Sequence, residues 1–196
     1  LCRPCFNRAP VVLTPAKTVI LQDVLGRLDA IGWFSDLPTD DVRAALRATL
    51  TEYVADHGRA GVVPALCTAT ILDECIEDTG DYVSVVRALA KGSHGRFAPT
   101  AVEDAFPDPY ADVLVSITCS NRLYARSVPF PDDYVQPEFF QFVNEILADL
   151  SISQRFHPLS LPKEPNTYIL FVSDSVLDRA LKARLIPKAW LWGGHA

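Results

Sequence analysis

The stretch DVLVSITCSNRLYARSV, residues 112–128, decides how this chain of 196 residues is expected to fold. In its first half, every second residue is apolar, and this two-residue period is typical of a strand with one buried face. These residues are Val113, Val115, Ile117 and Cys119. Ser120, Asn121 and Arg122 then suit a short turn, because asparagine tolerates left-handed backbone angles at modest cost. The stretch predicts a β-hairpin whose second strand covers residues 123–128.

The sequence after the hairpin predicts a helix, two strands and a closing helix. FFQFVNEILADL, residues 139–150, spaces its apolar side chains along one helical face. TYILFV, residues 167–172, is a continuous β-branched and aromatic run, which is typical of a central strand covered on both faces. Residues 154–160 form an expected edge strand, since Pro158 has no amide hydrogen to donate. Ser173 is the expected N-cap of the last helix.

The first half of the chain carries helix signals and no convincing strand after Leu13. Caps, prolines and terminating glycines predict four helices, and a Thr-x-x-Glu capping box predicts a brief fifth. The first runs from residue 15 to Gly32, the second from Thr39 to Gly58, the third over 64–76, the fourth over 82–91, and the fifth begins at Thr100. The third helix is expected to be mostly buried.

Length and composition fit one globular unit. A chain of 196 residues with 49% hydrophobic content can bury a full core. Residues 92–109 form the only plausible internal boundary, but this segment contains Phe97, Phe106 and the capping box, so we expect an ordered connection. The predicted fold is a single α+β domain with a helical N-terminal half. That half packs with a small mixed or antiparallel sheet of about four strands and two covering helices.

Charge and hydropathy disfavour two classes of partner. The formal net charge is -6, and the basic residues are scattered, so nucleic acid is not an expected ligand. No run approaches the roughly 18 to 20 apolar residues of a membrane span, and the residues shown carry no signal-peptide pattern. We therefore expect a cytoplasmic protein without a cofactor, and the acidic balance favours a basic protein partner.

The five cysteines suggest reduced thiols, because their number is odd and their spacing irregular. Cys67 and Cys75 fall in the predicted buried helix and suit small hydrophobic positions. Cys2 and Cys5 form a CxxC motif, which can be redox-active or supply half of a zinc site. Since no second CxxC or histidine pair completes a metal set, a terminus without this chemistry is the alternative.

Two other places have catalytic potential. Cys119 and His157 can form a thiolate–imidazolium pair if the sheet brings them together, and a small hydrolase or transferase would follow. In the alternative, Cys119 packs inward and His157 lies on a polar edge strand. The glycines of residues 92–96 (GSHGR) can expose amides to an anion, but Phe97 to Pro99 separate them from any helix. A helix-terminating turn is the alternative there.

Surface acids and aromatics are the candidate partner-binding residues. The acids near Asp81 can be a solvated helical face, a docking patch or, with paired carboxylates, an acid–base or metal site. The two tail tryptophans can contact a partner or fold back over the core. The candidates are Asp73, Glu74, Glu77, Asp78, Asp132, Asp133, Arg122, Tyr124, Trp190 and Trp192.

The order of hairpin, FFQFVNEILADL helix and TYILFVSDSVLDRAL strand-to-helix, in an acidic chain without a catalytic constellation, resembles small α+β immunity proteins. Bacteria encode these proteins beside polymorphic toxins. The resemblance covers residues 112–185 and implies a cytoplasmic inhibitor that binds a cognate toxin through its acidic surface. It assigns no residue, because those families share no universal binding motif. A non-enzymatic protein-binding module is therefore the expected function, and a Cys119/His157 enzyme is the alternative.

Overall fold

The computed structural model describes residues 11–72, 76–106, 112–130 and 134–192. The helices are α1 (Pro15–Ala30), α2 (Trp33–Asp36), α3 (Asp40–His57), α4 (Val62–Leu66), α5 (Asp81–Gly92), α6 (Pro137–Asp149) and α7 (Asp174–Lys182). The strands are β1 (Ala69–Ile71), β2 (Pro99–Ala105), β3 (Val113–Cys119), β4 (Arg122–Val128), β5 (Gln154–Ser160) and β6 (Thr167–Ser173). Short 3-10 turns cover Gly58–Gly61 and Lys188–Trp190.

The described strands form two antiparallel sheets of three strands each. Sheet A has the order β1-β6-β5 and sheet B the order β2-β3-β4. The α+β class and the helical N-terminal half are confirmed. The expectation of one sheet with about four strands is wrong, because β1 and β2, two strands without a clear sequence signal, each complete a separate sheet.

The predicted hairpin is present as β3 and β4. Ser120 and Asn121 have φ angles of 51° and 61°, the left-handed pair that a two-residue type I′ turn requires. Cys119 lies opposite Arg122 across this turn, and Val113 lies opposite Val128 at the far end. The buried parity of β3 is the one that the sequence predicts. Local turn chemistry and side-chain alternation therefore agree here.

Sheet A confirms the predicted roles of its two long strands. β6 lies between β1 and β5, and it is buried on both faces from Ile169 to Val172. β5 is an edge, and its Pro158 lies opposite Ile169. Proline is tolerated there because an edge strand leaves one side of its backbone without a ladder partner.

The predicted third helix, residues 64–76, is wrong after Leu66, and residues 73–75, with the predicted buried Cys75, lie outside the described residues. Helix α4 ends at Leu66, and the chain then extends into β1, which pairs with β6. The amide of Thr68 donates to the carbonyl of Ile169 at 2.8 Å as the pairing begins. The β-branched residues Thr68, Thr70 and Ile71 suit a strand. Strand pairing thus outweighs the helical spacing of the apolar residues.

The brief fifth helix predicted from the capping box at residues 100–103 is also wrong. These residues belong to β2, where Val102 lies opposite Ile117 and Asp104 opposite Val115. The buried carboxylate of Asp104 accepts hydrogen bonds from the amides of Gly80 and Tyr82, at 2.6 and 2.9 Å. It thereby satisfies amides at the start of α5, which has no side-chain cap at Gly80.

Sheet A separates two hydrophobic clusters. Leu170 and Val172 of β6 face a cluster built with α1, α2, α3, α4 and α7. Ile169 and Phe171 face a second cluster, built with α5, α6 and the inner side of sheet B. Helices α5 and α6 contact strands of both sheets. The resulting order is a helical layer, sheet A, the pair α5 and α6, and sheet B. Among the described helices, none has the combined length and apolarity needed to cross a bilayer.

A close approach at Gly61 gives a test of this packing. A Cβ atom added at Gly61 would lie 2.4 Å from the carbonyl oxygen of Tyr53 on α3, whereas one added at Gly26 in α1 meets nothing within 4 Å. We expect Gly61→Ala to lower the free energy of unfolding by about 2 kcal/mol through overpacking. The control Gly26→Ala is expected to raise it by about 0.5–1 kcal/mol through helix propensity. Urea denaturation measures both, and equal stabilities of the two variants would contradict the packing described.

Candidate functional site

The outer side of sheet B is a surface that no described element covers. We call it the open face. Every second residue of the three strands points to it, and all of them are exposed or half-buried, with Leu114 50% and Leu123 71% exposed. The open face consists of Ala101, Glu103, Ala105, Leu114, Ser116, Thr118, Leu123, Ala125 and Ser127. Leu114 and Leu123 lie at opposite ends of it.

The open face carries little charge. Glu103 is its one ionisable side chain, and Asp112 lies at its border, where the hydroxyl of Ser127 donates to the carboxylate at 3.2 Å. The solvent side of an antiparallel sheet is usually polar, whereas the centres of protein interfaces are depleted of charged residues. The composition of the open face is therefore typical of a contact surface, with acidic groups and no basic group among its residues.

The predicted partner residues Arg122 and Tyr124 lie on the inner parity of β4 and bind α6. The Tyr124 hydroxyl donates to Asp149 at 2.5 Å, and Arg122 forms an ion pair with the same carboxylate. The hydrogen bond from Tyr124 holds the pKa of Asp149 below its usual value and raises the pKa of Tyr124. Arg126 pairs likewise with Glu145. These groups hold sheet B against α6, on the side away from the open face.

The acidic candidates are only partly within the described residues. Glu77 and Asp78 are exposed, and their backbone amides both donate to the carboxylate of Asp81 at 2.8 Å. Asp81 therefore organises the turn before α5. Among the described residues, no group of three or more His, Cys, Asp or Glu side chains is placed to hold a metal ion. The candidates Asp73, Glu74, Asp132, Asp133, Cys2 and Cys5 lie outside the described residues.

The structure does not bring Cys119 and His157 together. Cys119 packs inside the cluster formed by sheet B with α5 and α6. On β5, His157 has the opposite parity to Phe156, which belongs to that same cluster, so it points to the other face of sheet A. Its Nε2 lies 3.1 Å from the carbonyl oxygen of Val172 and 3.6 Å from Asp174. The catalytic pair is therefore wrong in geometry, and the inward packing of Cys119 is observed.

The segment 92–96 is the helix-terminating turn of the alternative interpretation. Ser93 caps the end of α5, and its hydroxyl donates to the carbonyl of Ala90 at 2.7 Å and accepts from the amide of Phe97 at 2.9 Å. Gly92 packs closely on the α4–β1 connection, since an added Cβ would lie 2.9 Å from the carbonyl oxygen of Thr68. His94, with φ of 55°, is thereby held at the rim of a cavity.

This cavity, which we call the α3–α4 cavity, was not predicted. Its volume is about 360 Å³. Apolar residues form most of its wall: Trp33, Leu37, Val42, Ala45, Leu46, Ala65, Leu66, Phe171 and Val172. Asp41, Thr49, Cys67, Thr68 and His94 add polar groups. Four elements, α2, α3, α4 and β6, and the connections next to them contribute to the wall, so no short motif in the sequence could identify it.

The cavity lacks an activated nucleophile among its described wall residues. The Cys67 thiol donates to the carbonyl of Val63 at 3.2 Å, and burial raises its pKa far above the usual range, so it stays protonated. Burial lowers the pKa of His94. The indole N–H of Trp33 has no partner among the described residues and no appreciable exposed area, so a ligand would reach it only if the wall moved. These features describe a binding pocket more than a catalytic one.

The tail folds back over the core. The indole N–H of Trp192 donates to the Ser160 hydroxyl at 2.7 Å, and its ring packs edge-on against Phe140 with centroids 5.5 Å apart. The backbone amide of Trp192 donates to the carbonyl of Pro158, and Trp190 packs against the helical cluster. Both tryptophans therefore fold back over the core, as in the second of the two interpretations of the tail.

Comparisons of the chain with protein-family models, with curated proteins and with solved structures give no match. The open face and the α3–α4 cavity must therefore be interpreted from their own chemistry. The open face offers a wide, weakly charged surface, whereas the cavity offers a half-open, mostly apolar volume with one carboxylate in its wall. A large partner suits the first and a small ligand the second.

The burial of His157 predicts a pH dependence of stability. Its side chain is 14% exposed, and burial lowers its pKa more than Val172 and Asp174 raise it. Because the unfolded chain then binds a proton more readily, stability decreases as the pH falls below the unfolded pKa of about 6.5. We expect His157→Gln to lose less stability than the wild type between pH 7.5 and 5.5 in urea denaturation. His57→Gln, which changes an exposed histidine on α3, should match the wild-type profile. Parallel profiles for all three proteins would contradict the effect of burial.

The tail contacts give a second test. Trp192→Ala removes the hydrogen bond to Ser160 and the ring contact with Phe140, and we expect the free energy of unfolding to fall by about 2 kcal/mol. Val19→Ala, at a 65% exposed position of α1, should change it by less than about 0.5 kcal/mol. Thermal and urea denaturation measure both variants. A Trp192→Ala protein as stable as the wild type would show that the tail contacts do not stabilise the core.

Proposed function

We propose that this chain is a non-enzymatic protein-binding module, and specifically an immunity-like inhibitor that binds a cognate bacterial toxin in the cytoplasm. The observation that carries the proposal is the open face of sheet B, a strand surface with exposed leucines and almost no charge. The centres of protein interfaces are depleted of charged residues, whereas the solvent face of an antiparallel sheet is usually polar. The weak charge of this surface is therefore typical of a protein contact. The separation of Cys119 from His157 removes the geometric support for the enzymatic alternative.

The partner in this proposal has an apolar patch with basic residues around it. Leu114 and Leu123 supply the apolar contacts, and the small residues between them allow close approach of a flat surface. Glu103 and Asp112 are acidic, and the whole chain has a net charge of -6. Complementary charges accelerate encounter and exclude partners of the wrong sign. A basic toxin domain has the chemistry that fits this surface.

Strand β4 adds a second mode of contact to the same surface. β4 pairs only with β3 among the described strands, so its outer backbone edge is not engaged in a ladder. Exposed strand edges can accept a strand from a partner, with backbone hydrogen bonds giving affinity and side-chain pockets giving specificity. In the proposed complex, the partner covers the open face and can extend over this edge.

The proposal predicts that charge introduced on the open face blocks binding. We expect Leu123→Arg and Leu114→Arg each to weaken partner binding at least tenfold, since each places an arginine against an apolar, basic-rimmed partner surface. Val19→Arg adds the same charge at an exposed apolar position on α1 and is the matched control. Binding is measured by calorimetry with a partner first identified by cross-linking in the native host.

A survival assay distinguishes inhibition of the toxic partner from binding alone. Cells that express the partner should survive when they also express the wild type or the Val19→Arg variant, and should die with Leu123→Arg. Raising the salt concentration from 0.1 to 0.5 M should weaken the wild-type complex, because the steering charges are screened. A partner that binds all three variants equally, or that is not toxic alone, would overturn the proposal.

A further inference from the structure

The α3–α4 cavity has the size and wall chemistry of a small-molecule pocket. Its volume of about 360 Å³ falls within the range of roughly 300 to 1,000 Å³ that ligand pockets occupy. Trp33, Leu46 and Leu66 line it from the helical cluster, so the wall there is apolar. Such a wall favours a ligand with a hydrocarbon body, because burial of apolar surface provides the main driving force.

The carboxylate of the cavity wall is not balanced by a basic side chain among the lining residues. Asp41, in the first turn of α3, is the carboxylate among the lining residues, and no lysine or arginine lines the cavity. Asp41 is exposed and forms no ion pair with a described residue, whereas the neighbouring Asp40 pairs with Arg43 at 3.2 Å. A ligand with a positive charge at the cavity mouth would therefore find a carboxylate that no side chain has neutralised.

The turn after α5 contributes His94, another polar residue of the wall. Gly92 packs against Thr68, and the Ser93 hydroxyl holds the turn that carries His94. His94 is exposed, and its partial burial lowers its pKa, which favours the neutral form of the ring. Neutral imidazole can also accept a hydrogen bond from an ammonium group. The wall thus offers a carboxylate and an acceptor around an apolar interior.

We propose that the α3–α4 cavity binds a small organic amine, with its hydrocarbon body against Trp33, Leu46 and Leu66 and its ammonium group at Asp41. This site lies on the helical side of sheet A, whereas the open face belongs to sheet B. Amine binding is therefore a separate property, which stands or falls independently of the proposed protein partner.

Three matched probes test the charge preference. 2-Phenylethylamine, 2-phenylethanol and 3-phenylpropanoate have similar bodies and are cationic, neutral and anionic at pH 7. We expect the amine to bind most tightly in a titration followed by ¹H–¹⁵N NMR, with shifts concentrated at Asp41, Thr49, Thr68 and His94. Equal affinity for the amine and the carboxylate, or no saturable shift with the amine at millimolar concentration, would overturn the proposal.

Variants in the same helix locate the site. Asp41→Asn should weaken amine binding roughly two- to fivefold, the effect of one exposed ion pair. Asp40→Asn removes the same charge from the same helical turn but does not line the cavity, so it should leave the affinity unchanged. Ala45→Phe fills the cavity from an exposed helical position and should abolish binding.

Folding of each variant is verified by thermal denaturation, and Thr49→Phe replaces Ala45→Phe if the latter is unfolded. Equal losses with Asp40→Asn and Asp41→Asn would indicate a nonspecific charge effect and contradict the site. Retained affinity in a folded cavity-filling variant would place the amine elsewhere and would contradict it as well.

Discussion

The fold depends on the burial of strand β6 on both of its faces. Its even residues, such as Leu170 and Val172, must be covered by one layer, and its odd residues, Ile169 and Phe171, by another. A central strand of this kind cannot be stable as part of a hairpin alone, because half of its apolar surface would remain in water. The first half of the chain supplies the helical layer together with α7, and α5, α6 and sheet B supply the other. Strand β1 binds the halves together, since it comes from the first half and pairs with β6.

The sequence predicted elements well where local signals and tertiary packing agree. The hairpin is correct because side-chain alternation specifies the strands and Ser120-Asn121 specifies the turn. The prediction failed at residues 64–76 and 100–103, where helical spacing or a capping pattern competed with strand pairing. Thr68 bonds to Ile169, 101 positions away, and no local pattern reports so distant a contact. The same cause explains why one expected sheet proved to be two.

The candidate site was only partly predictable for a related reason. The sequence identified Arg122 and Tyr124 as surface groups but could not show that Asp149 engages both of them. It placed Cys119 inside the core, and the structure agrees, yet only the parity of β5 shows that His157 points to the other side of sheet A. The open face follows from the hairpin's parity together with β2, a strand that was not expected. The α3–α4 cavity depends on side chains from across the chain and has no local signature.

Helix α5 lines neither proposed site, but each of its ends contacts an element that contributes to one of them. At its start, the amides of Gly80 and Tyr82 bind Asp104 on β2, which belongs to sheet B. At its end, Gly92 packs against Thr68, and the following turn carries His94 to the α3–α4 cavity. The two sites lie on different sides of sheet A, so their ligands cannot contact one another directly. Any free-energy coupling between an amine in the cavity and a protein on the open face would require differential contacts in two states. The contacts of α5 with Asp104 at one end and Thr68 at the other join the elements that carry the two sites.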